Sequence, residues 1–309
     1  MRVNVAPGRY ILAVSGGVDS MVLLDLLVKQ AHSSQLRAKS SASSLELIVA
    51  HFNHGIRPDS AEDEKLVRNT AKKHGLKFEA GQGKLGAGAS EAKARAARYK
   101  FLESVKNKHK ALSIITAHHQ DDLIETAFIN MLRGTGRQGL SAITSNENVT
   151  RPLLHVTKKQ IREYAKKHKI IWREDTTNKS DAYLRNYLRS QIMSKLKPRD
   201  KKLILNSIDK AAATNKILNS EIATLSHNLI TNSRLNRRKF IMLPNEVADD
   251  VIMAWFRSQG FRSYDRKTVI RTRLSIKTAL PKTSVAVSKG LKLVVGRKDV
   301  SLVSSDKNA

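Results

Sequence analysis

Apolar and polar positions along this chain alternate between two patterns. Tyr10-Ile11-Leu12-Ala13-Val14, Leu45-Glu46-Leu47-Ile48-Val49-Ala50-His51 and Ala111-Leu112-Ser113-Ile114-Ile115-Thr116-Ala117 are short apolar runs. Such runs suit strands buried on both faces of a parallel sheet. A weaker strand is predicted near Leu76-Lys77-Phe78-Glu79, and helices at about Ser60 to His74, Ser90 to Lys106 and Gln120 to Leu132. Strands alternating with helices predict an α/β fold with a doubly wound, Rossmann-like parallel sheet. Two segments break the pattern. Ala31 to Ser44 is Ser/Ala-rich without periodicity and reads as an insertion, and the glycine-rich Ala80 to Ala89 reads as a mobile loop.

Beyond Arg151-Pro152-Leu153-Leu154 the pattern becomes helical and basic, with a boundary expected near Lys197-Pro198-Arg199. Lys201 to Asn232 reads as a long helix or helix pair. Val285-Ala286-Val287, Leu291 to Val295 and Val300 to Val303, separated by turns at Lys289-Gly290 and Gly296-Arg297, read as strands of a small C-terminal α+β domain. The expected organisation is therefore residues 1–198, with a helical extension from about 151, followed by residues 199–309.

The first strand and first helix are joined by Ser15-Gly16-Gly17-Val18-Asp19-Ser20. Glycines let backbone approach an anion, and serine hydroxyls and helix N-terminal N–H groups donate to it. The run is a phosphate-holding loop but not a Walker A loop, since it lacks Gly-Lys-Ser/Thr. His118-His119-Gln120-Asp121-Asp122-Leu123-Ile124-Glu125 follows another strand and opens a helix. In a parallel sheet that junction lies at the carboxyl edge, where ligands sit. These residues could bind a divalent metal, position an amine or act as a base; acids stabilising a helix N-terminus are the plainer alternative. His51-Phe52-Asn53-His54-Gly55-Ile56-Arg57 ends the second strand, where such a sheet meets a nucleoside. Arg95 and Arg98 either reach phosphate or belong to a salt-bridged surface helix.

Lys and Arg number 56 against 27 Asp and Glu, a net charge of +29, which makes nucleic acid the leading partner. Arg185 and Arg189 share one helical face beside Tyr183 and Tyr187, a pattern suited equally to phosphate contact with base stacking and to a solvated basic helix. Arg237 and Arg238 belong to a second basic run, Arg234 to Lys239. There is no cysteine, so disulfides and cysteine-ligated zinc are excluded. No apolar run approaches the ~20 residues that span a bilayer, and no secretory signal is visible. A cytoplasmic protein that does not meet a membrane is expected.

The glycine loop resembles that of the N-type ATP pyrophosphatases, or PP-loop enzymes. Taken in order, Ser-Gly-Gly-Val-Asp-Ser, His-Phe-Asn-His-Gly-Ile-Arg, Glu-Ala-Lys-Ala-Arg-Ala-Ala-Arg-Tyr, Ala-His-His-Gln-Asp-Asp-Leu-Ile-Glu-Thr, Leu-Arg-Gly-Thr-Gly, Arg-Pro-Leu-Leu and Glu-Asp-Thr-Thr-Asn with Tyr-Leu-Arg-Asn resemble the tRNA(Ile)-lysidine synthetase family from Ile11 to about Arg189. The resemblance implies a ligase for tRNA modification, in which ATP adenylates the wobble cytidine of a CAU-anticodon tRNA(Ile) and free L-lysine then displaces AMP at C2. It implies that residues 1–198 are the catalytic domain and 199–309 a tRNA-binding region, and a homodimer is compatible with it. Ser15, Gly16, Gly17, Val18, Asp19, Ser20 and His51 would bind ATP, with Asp19 as the Mg²⁺ ligand. Asp121, Asp122 and Glu125 would bind lysine, Arg95 and Arg133 would stabilise developing charge, and Arg185, Arg189, Arg237 and Arg238 would contact tRNA. Relatives that thiolate RNA use cysteine persulfides or iron–sulfur ligands, which this chain cannot supply.

Overall fold

The computed structural model describes residues 1–35, 44–55, 60–83, 91–144, 148–174, 184–261, 264–288 and 290–304. Most of the 31–44 insertion and of the 80–89 loop, Arg57, Ser90, Asp175 to Asn178 and Asp181 to Tyr183 lie outside these residues, as do Arg262 and Lys289. The chain divides into two compact units, Met1–Ile208 and Asp209–Ala309.

The first unit runs β1 (Gly8–Ala13), α1 (Val18–Gln35), β2 (Leu45–Asn53), α2 (Ser60–Lys73), β3 (Lys77–Gln82), α3 (Glu91–Lys108), β4 (Ser113–Ile115) and α4 (Gln120–Leu132). The short α5 (Arg137–Leu140), β5 (Val149–Thr150), α6 (Lys158–Lys167) and α7 (Leu184–Tyr187) follow, and a π-helical turn at Leu188–Met193 leads to α8 (Pro198–Leu229). The strands form one parallel sheet in the order β3-β2-β1-β4-β5. Strand order reverses between β1 and β4, which opens a crevice beyond their carboxyl ends.

Alternation along each strand divides the core between the two faces of the sheet. Ile11, Ile48 and Ile114 pack with Leu102 and Val105 of α3. Their neighbours Leu12, Val49 and Ile115 pack on the other side with the apolar residues of α1. That helix is apolar almost all round, since Met21 to Leu24 and Leu26 to Val28 are all buried. A helix of this kind must be covered on both sides. The sheet covers one, and α6 covers the other with Ile161, Tyr164 and Ala165 at helical spacing. A third cluster joins Leu123, Ile124 and Ala127 of α4 to Met193, Leu205 and Ile208.

The second unit holds the rest of α8, then β6 (Ile230–Thr231), β7 (Arg234–Asn236), α9 (Arg237–Ile241), α10 (Asn245–Ser258), α11 (Arg266–Thr278), β8 (Thr283–Ser288), β9 (Leu291–Val295) and β10 (Asp299–Ser304). Its sheet is antiparallel, ordered β6-β7-β10-β9-β8. In β9, Leu291, Leu293 and Val295 are buried while Lys292 and Val294 face outward, the alternation of a sheet with one wet face. Trp255, Phe240 and Phe256 fill the core beneath it, and the Trp255 indole N–H donates to the Ser233 carbonyl at 3.2 Å.

Several elements differ from expectation. The strand expected over 111–117 shortens to Ser113–Ile115, and β5 to β7, of two or three residues each, carry too few side chains to show a period. Pro198 begins a helix instead of ending a domain, because its missing N–H costs nothing in a first turn. Helix α8 then runs unbroken across the expected boundary, and the division between the units falls ten residues later.

Candidate active site

Val14 continues β1 by donating to the Ala50 carbonyl at 2.9 Å, and the chain then turns into α1. Gly16 makes the turn at φ +93°, a conformation L side chains rarely adopt. A Cβ there would also lie 3.4 Å from that of Asp63. Ser20 Oγ donates to the Gly17 carbonyl at 2.9 Å and accepts from Ser15 N–H at 3.2 Å, while Gly17 N–H points to Ser15 Oγ at 3.4 Å. The loop is thus held by its own hydroxyls. Arg173 adds an outer tie: its backbone N–H donates to the Gly16 carbonyl at 3.1 Å, and its guanidinium pairs with Glu62 and, at 2.9 Å, with the buried Asp63.

A pocket of about 380 Å³ opens above the loop, between the ends of β1, β2 and β4. Small-molecule sites are commonly of this size. Its wall includes Ser15, His51, Asn53, Arg98, Thr116 and His118. His51 is buried, with Nδ1 2.8 Å from the Val14 carbonyl. A carbonyl only accepts, so Nδ1 carries the proton and Nε2 is left as an acceptor. Burial lowers the His51 pKa, against the pull of that carbonyl. His118 sits with Nδ1 2.8 Å from Thr116 Oγ1. Burial pushes its pKa down to about 3; Asp122 opposes this, and Arg151, Arg95 and Arg98 reinforce it. Both rings are neutral at physiological pH.

His119 caps α4. Its Nδ1 accepts from Asp121 N–H at 3.2 Å, and its own N–H donates to Asp122 Oδ2 at 3.0 Å, a reciprocal cap. The Nε2–H therefore faces two carboxylates, Asp122 at 3.5 Å and Asp19 at 3.8 Å. Burial resists ionisation of Asp122, but His119, its backbone N–H, His118 and Arg189 outweigh it and hold this carboxyl below its ordinary range. Asp19 lies in the first turn of α1, and both its oxygens are 2.6 Å from Lys158 Nζ.

The structure brings Ser15, Gly17, Asp19, Ser20, His51 and Asp122 to one pocket. Asp121 and Glu125, expected to act from one helix face, instead have separate partners. Asp121 pairs with Lys201 at 2.8 Å. Glu125 is buried and is clamped by Arg185 and, at 2.5 Å, by Arg189, which also reaches Asp122 at 3.2 Å. Burial raises the Glu125 pKa, against both arginines. Arg185 and Arg189, expected at tRNA phosphates, are thus engaged with the acids. Arg95 lies over the Tyr99 ring at 5.0 Å, with Arg98 at 5.7 Å. Arg133 is exposed at the far end of α4, about 20 Å from its first turn by helix rise, away from the pocket. In the second unit Arg237 is an internal tie, donating to the Ile276, Gly296 and Ala279 carbonyls, while Arg238 is exposed. Asp63, Lys158, Arg173 and Lys201 were not anticipated, because nothing local marks them; each matters through a partner remote in sequence.

Among the described residues no three carboxylates and imidazoles form a cation cage. A nucleotide-borne Mg²⁺ needs only one or two carboxylates, since phosphate and water complete its octahedron. Asp19, partly exposed beside the loop, fits that lesser demand.

The PP-loop domain profile ATP_bind_3 matches residues 2–196. The chain belongs to the PP-loop family. Within it, this PP-loop chain is 37% identical over 201 residues to the tRNA(Ile)-lysidine synthase of Pseudothermotoga lettingae, a match covering 62% of this chain and 43% of that protein. It is 38% identical over 196 residues to the protein of the same name from Thermus thermophilus, covering 61% and 36%. The match therefore spans less than half the length of these curated relatives. Among solved structures, the U34-tRNA thiolase NcsA from Methanococcus maripaludis with its [4Fe-4S] cluster superposes with a TM-score of 0.54 at 17% identity, covering 67% of this chain and 73% of that one. That likeness concerns the fold. Among the described residues no helix is long and apolar enough to cross a membrane.

Proposed function

We propose that this PP-loop chain ligates lysine to C2 of the wobble cytidine of tRNA(Ile) bearing a CAU anticodon, at the expense of ATP. The observation that carries this reading is the meeting of two half-sites at the β1/β4 crevice, where His119 Nε2 stands 3.8 Å from Asp19 of the phosphate loop and 3.5 Å from Asp122 of the acid cluster. Kinship to proteins named tRNA(Ile)-lysidine synthase, at 37 and 38% identity, supports the choice of substrates.

In this reading ATP lies with its phosphates on Ser15 to Ser20 and its nucleoside toward His51 and Asn53. The cytidine O2 attacks the α-phosphorus, an O2–P bond forms, and pyrophosphate leaves. Asp19 would hold Mg²⁺, which supplies neutralising charge to the phosphates. Arg98, on the pocket wall, is placed to steady the phosphate under attack. The lysine ε-amine then attacks C2, and AMP departs with O2. An amine of pKa ~10.4 must first lose a proton. Glu125, whose carboxyl is raised by burial, is the member of the acid set best suited to accept it. Asp122, on the pocket wall, would receive the ammonium, with Asp121 and Glu125 adding negative charge from the same helix. Residues 209–309 carry the exposed basic run that includes Arg238 and would hold the tRNA backbone.

The test is incubation of the chain with ATP, CAU-anticodon tRNA and radiolabelled lysine. Label should enter the RNA with AMP and pyrophosphate as co-products, and Asp19→Ala should abolish it while sparing tRNA binding. ATP cleavage without lysine incorporation would assign the site to a different adenylating ligase.

A further inference from the structure

The segment from Leu184 to Met193 has two unlike faces. Inward, Arg185 pairs with Glu125, Arg189 pairs with Glu125 at 2.5 Å and with Asp122 at 3.2 Å, and Leu188 and Met193 are buried. Charge-assisted contacts onto a buried carboxylate fix the segment on α4. Outward, Leu184 and Tyr187 stand three residues apart and are 46% and 53% exposed. Helix α7 passes directly into the π-helical turn at Leu188–Met193, a rare form that is frequent at functional sites. The inward face accounts for the arginines. It gives no reason for a large aromatic ring on the outer one.

The chain that follows Tyr187 is cationic. Lys195, Lys197 and Arg199 are all exposed, and no described carboxylate pairs with them. An exposed ring and available cations together suit a ligand that carries both flat apolar rings and negative charge. Single-stranded nucleic acid is such a ligand, since its bases stack on aromatic side chains and its phosphates meet lysine and arginine. A duplex offers only its phosphates, because its bases are already stacked on one another. The outer face is also close to the pocket. Asp122 lines the pocket, Arg189 touches Asp122, and Tyr187 lies across the same turn of helix, about 10–12 Å away. Stacked nucleotides rise about 3.4 Å each, so about three of them cover that distance.

We propose that Tyr187, with Leu184 beside it, is a stacking surface for an unpaired RNA base within about three nucleotides of the base that enters the pocket. Lys195, Lys197 and Arg199 take the phosphates beyond it. The surface reads that the strand is single and not which base it presents, since every base has a π-face. One short helix thus divides its labour: the arginine face holds the acids, and the tyrosine face holds the RNA. This deepens the proposed use of a tRNA substrate and rests on it.

The experiment measures, by fluorescence anisotropy, binding of three RNAs to the full chain: a CAU-anticodon stem-loop, an unstructured strand of the same length, and the stem alone as a duplex. Wild type is compared with Tyr187→Ala, Tyr187→Phe and Tyr187→Trp. Loss of one stacked base predicts that Tyr187→Ala weakens the stem-loop and the unstructured strand by about five- to a hundredfold. Duplex binding should stay within about twofold, and the Phe and Trp variants should keep most of the affinity. The salt slope should not change in Tyr187→Ala, because stacking releases no counterions, whereas Lys195→Gln with Lys197→Gln should lower it by about 1.4. Unchanged binding of the two unpaired RNAs, or an equal loss on the duplex, overturns the proposal. Lysine incorporation by a chain indifferent to Tyr187 removes the stacking surface and keeps the lysidine reading. Tyr187-dependent binding without lysine incorporation does the reverse. Should Tyr187→Ala not fold, nitration of the wild-type chain by tetranitromethane, mapped by peptide mass spectrometry, supplies the answer. The unstructured strand should protect Tyr187 and the duplex should not, and equal nitration with either refutes the assignment.

Discussion

Acidification from about pH 7.5 to 5.0 should weaken residues 1–208 through His118. The folded unit keeps this imidazole neutral, chiefly by burial, with a pKa of about 3 against 6.5 in the unfolded chain. Below 6.5 the unfolded chain takes up a proton that the folded chain refuses. Stability is therefore lost as pH falls through 6.5, and the loss continues until pH approaches 3. One refused proton is worth about 1.4 kcal/mol per pH unit, so the ideal loss by pH 5.0 is about 2 kcal/mol. The ring is only half-buried, and solvent screening reduces this to about 1–2 kcal/mol. His118→Gln keeps a partner for Thr116 and has nothing to titrate. Pulse proteolysis in urea, scored on fragments from residues 1–208, measures both proteins at the two pH values. The wild type should lose about 1–2 kcal/mol more than the variant, to which the other neutral histidines contribute equally. An identical pH dependence in the two would show that His118 takes up its proton in the folded state and would refute the argument from burial.

Gly16→Ala should cost about 1–3 kcal/mol, because alanine must adopt φ +93° with its Cβ against Asp63; nucleotide titration should show binding lost even at temperatures where the variant is folded. Glu125→Ala should destabilise the first unit by about 3–5 kcal/mol by stranding Arg185 and Arg189, and Glu125→Gln by clearly less, as read from urea midpoints. Ending the chain after Arg199 should unfold the first unit, since it removes the buried Leu205 and Ile208 from its core. Ending it after Leu218 should leave nucleotide binding intact while weakening tRNA binding and flattening its salt dependence. Unchanged tRNA affinity and salt slope in filter binding would refute the role given to the second unit.

Local pattern determined much of this protein. Buried parallel strands read as continuous apolar runs, so β1, β2 and β4 were visible. The loop Ser15 to Ser20 was legible because glycines and hydroxyls have to be contiguous to wrap an anion, and α4 because its cap and its acids are adjacent in sequence. Strands of two or three residues carry no period, which hid β5, β6 and β7. The end of the first unit was misplaced because a proline can open a helix as readily as close a domain. What only the tertiary structure decided is pairing. Lys158 with Asp19, Lys201 with Asp121, Arg189 with Glu125 and Arg173 with Asp63 are separated in sequence by 139, 80, 64 and 110 residues. Ion pairs reward proximity in space, which no local pattern encodes. The same reason turned Arg237 from an expected tRNA contact into an internal tie: sequence shows that an arginine is present, and the fold decides which acceptors lie within reach of its guanidinium.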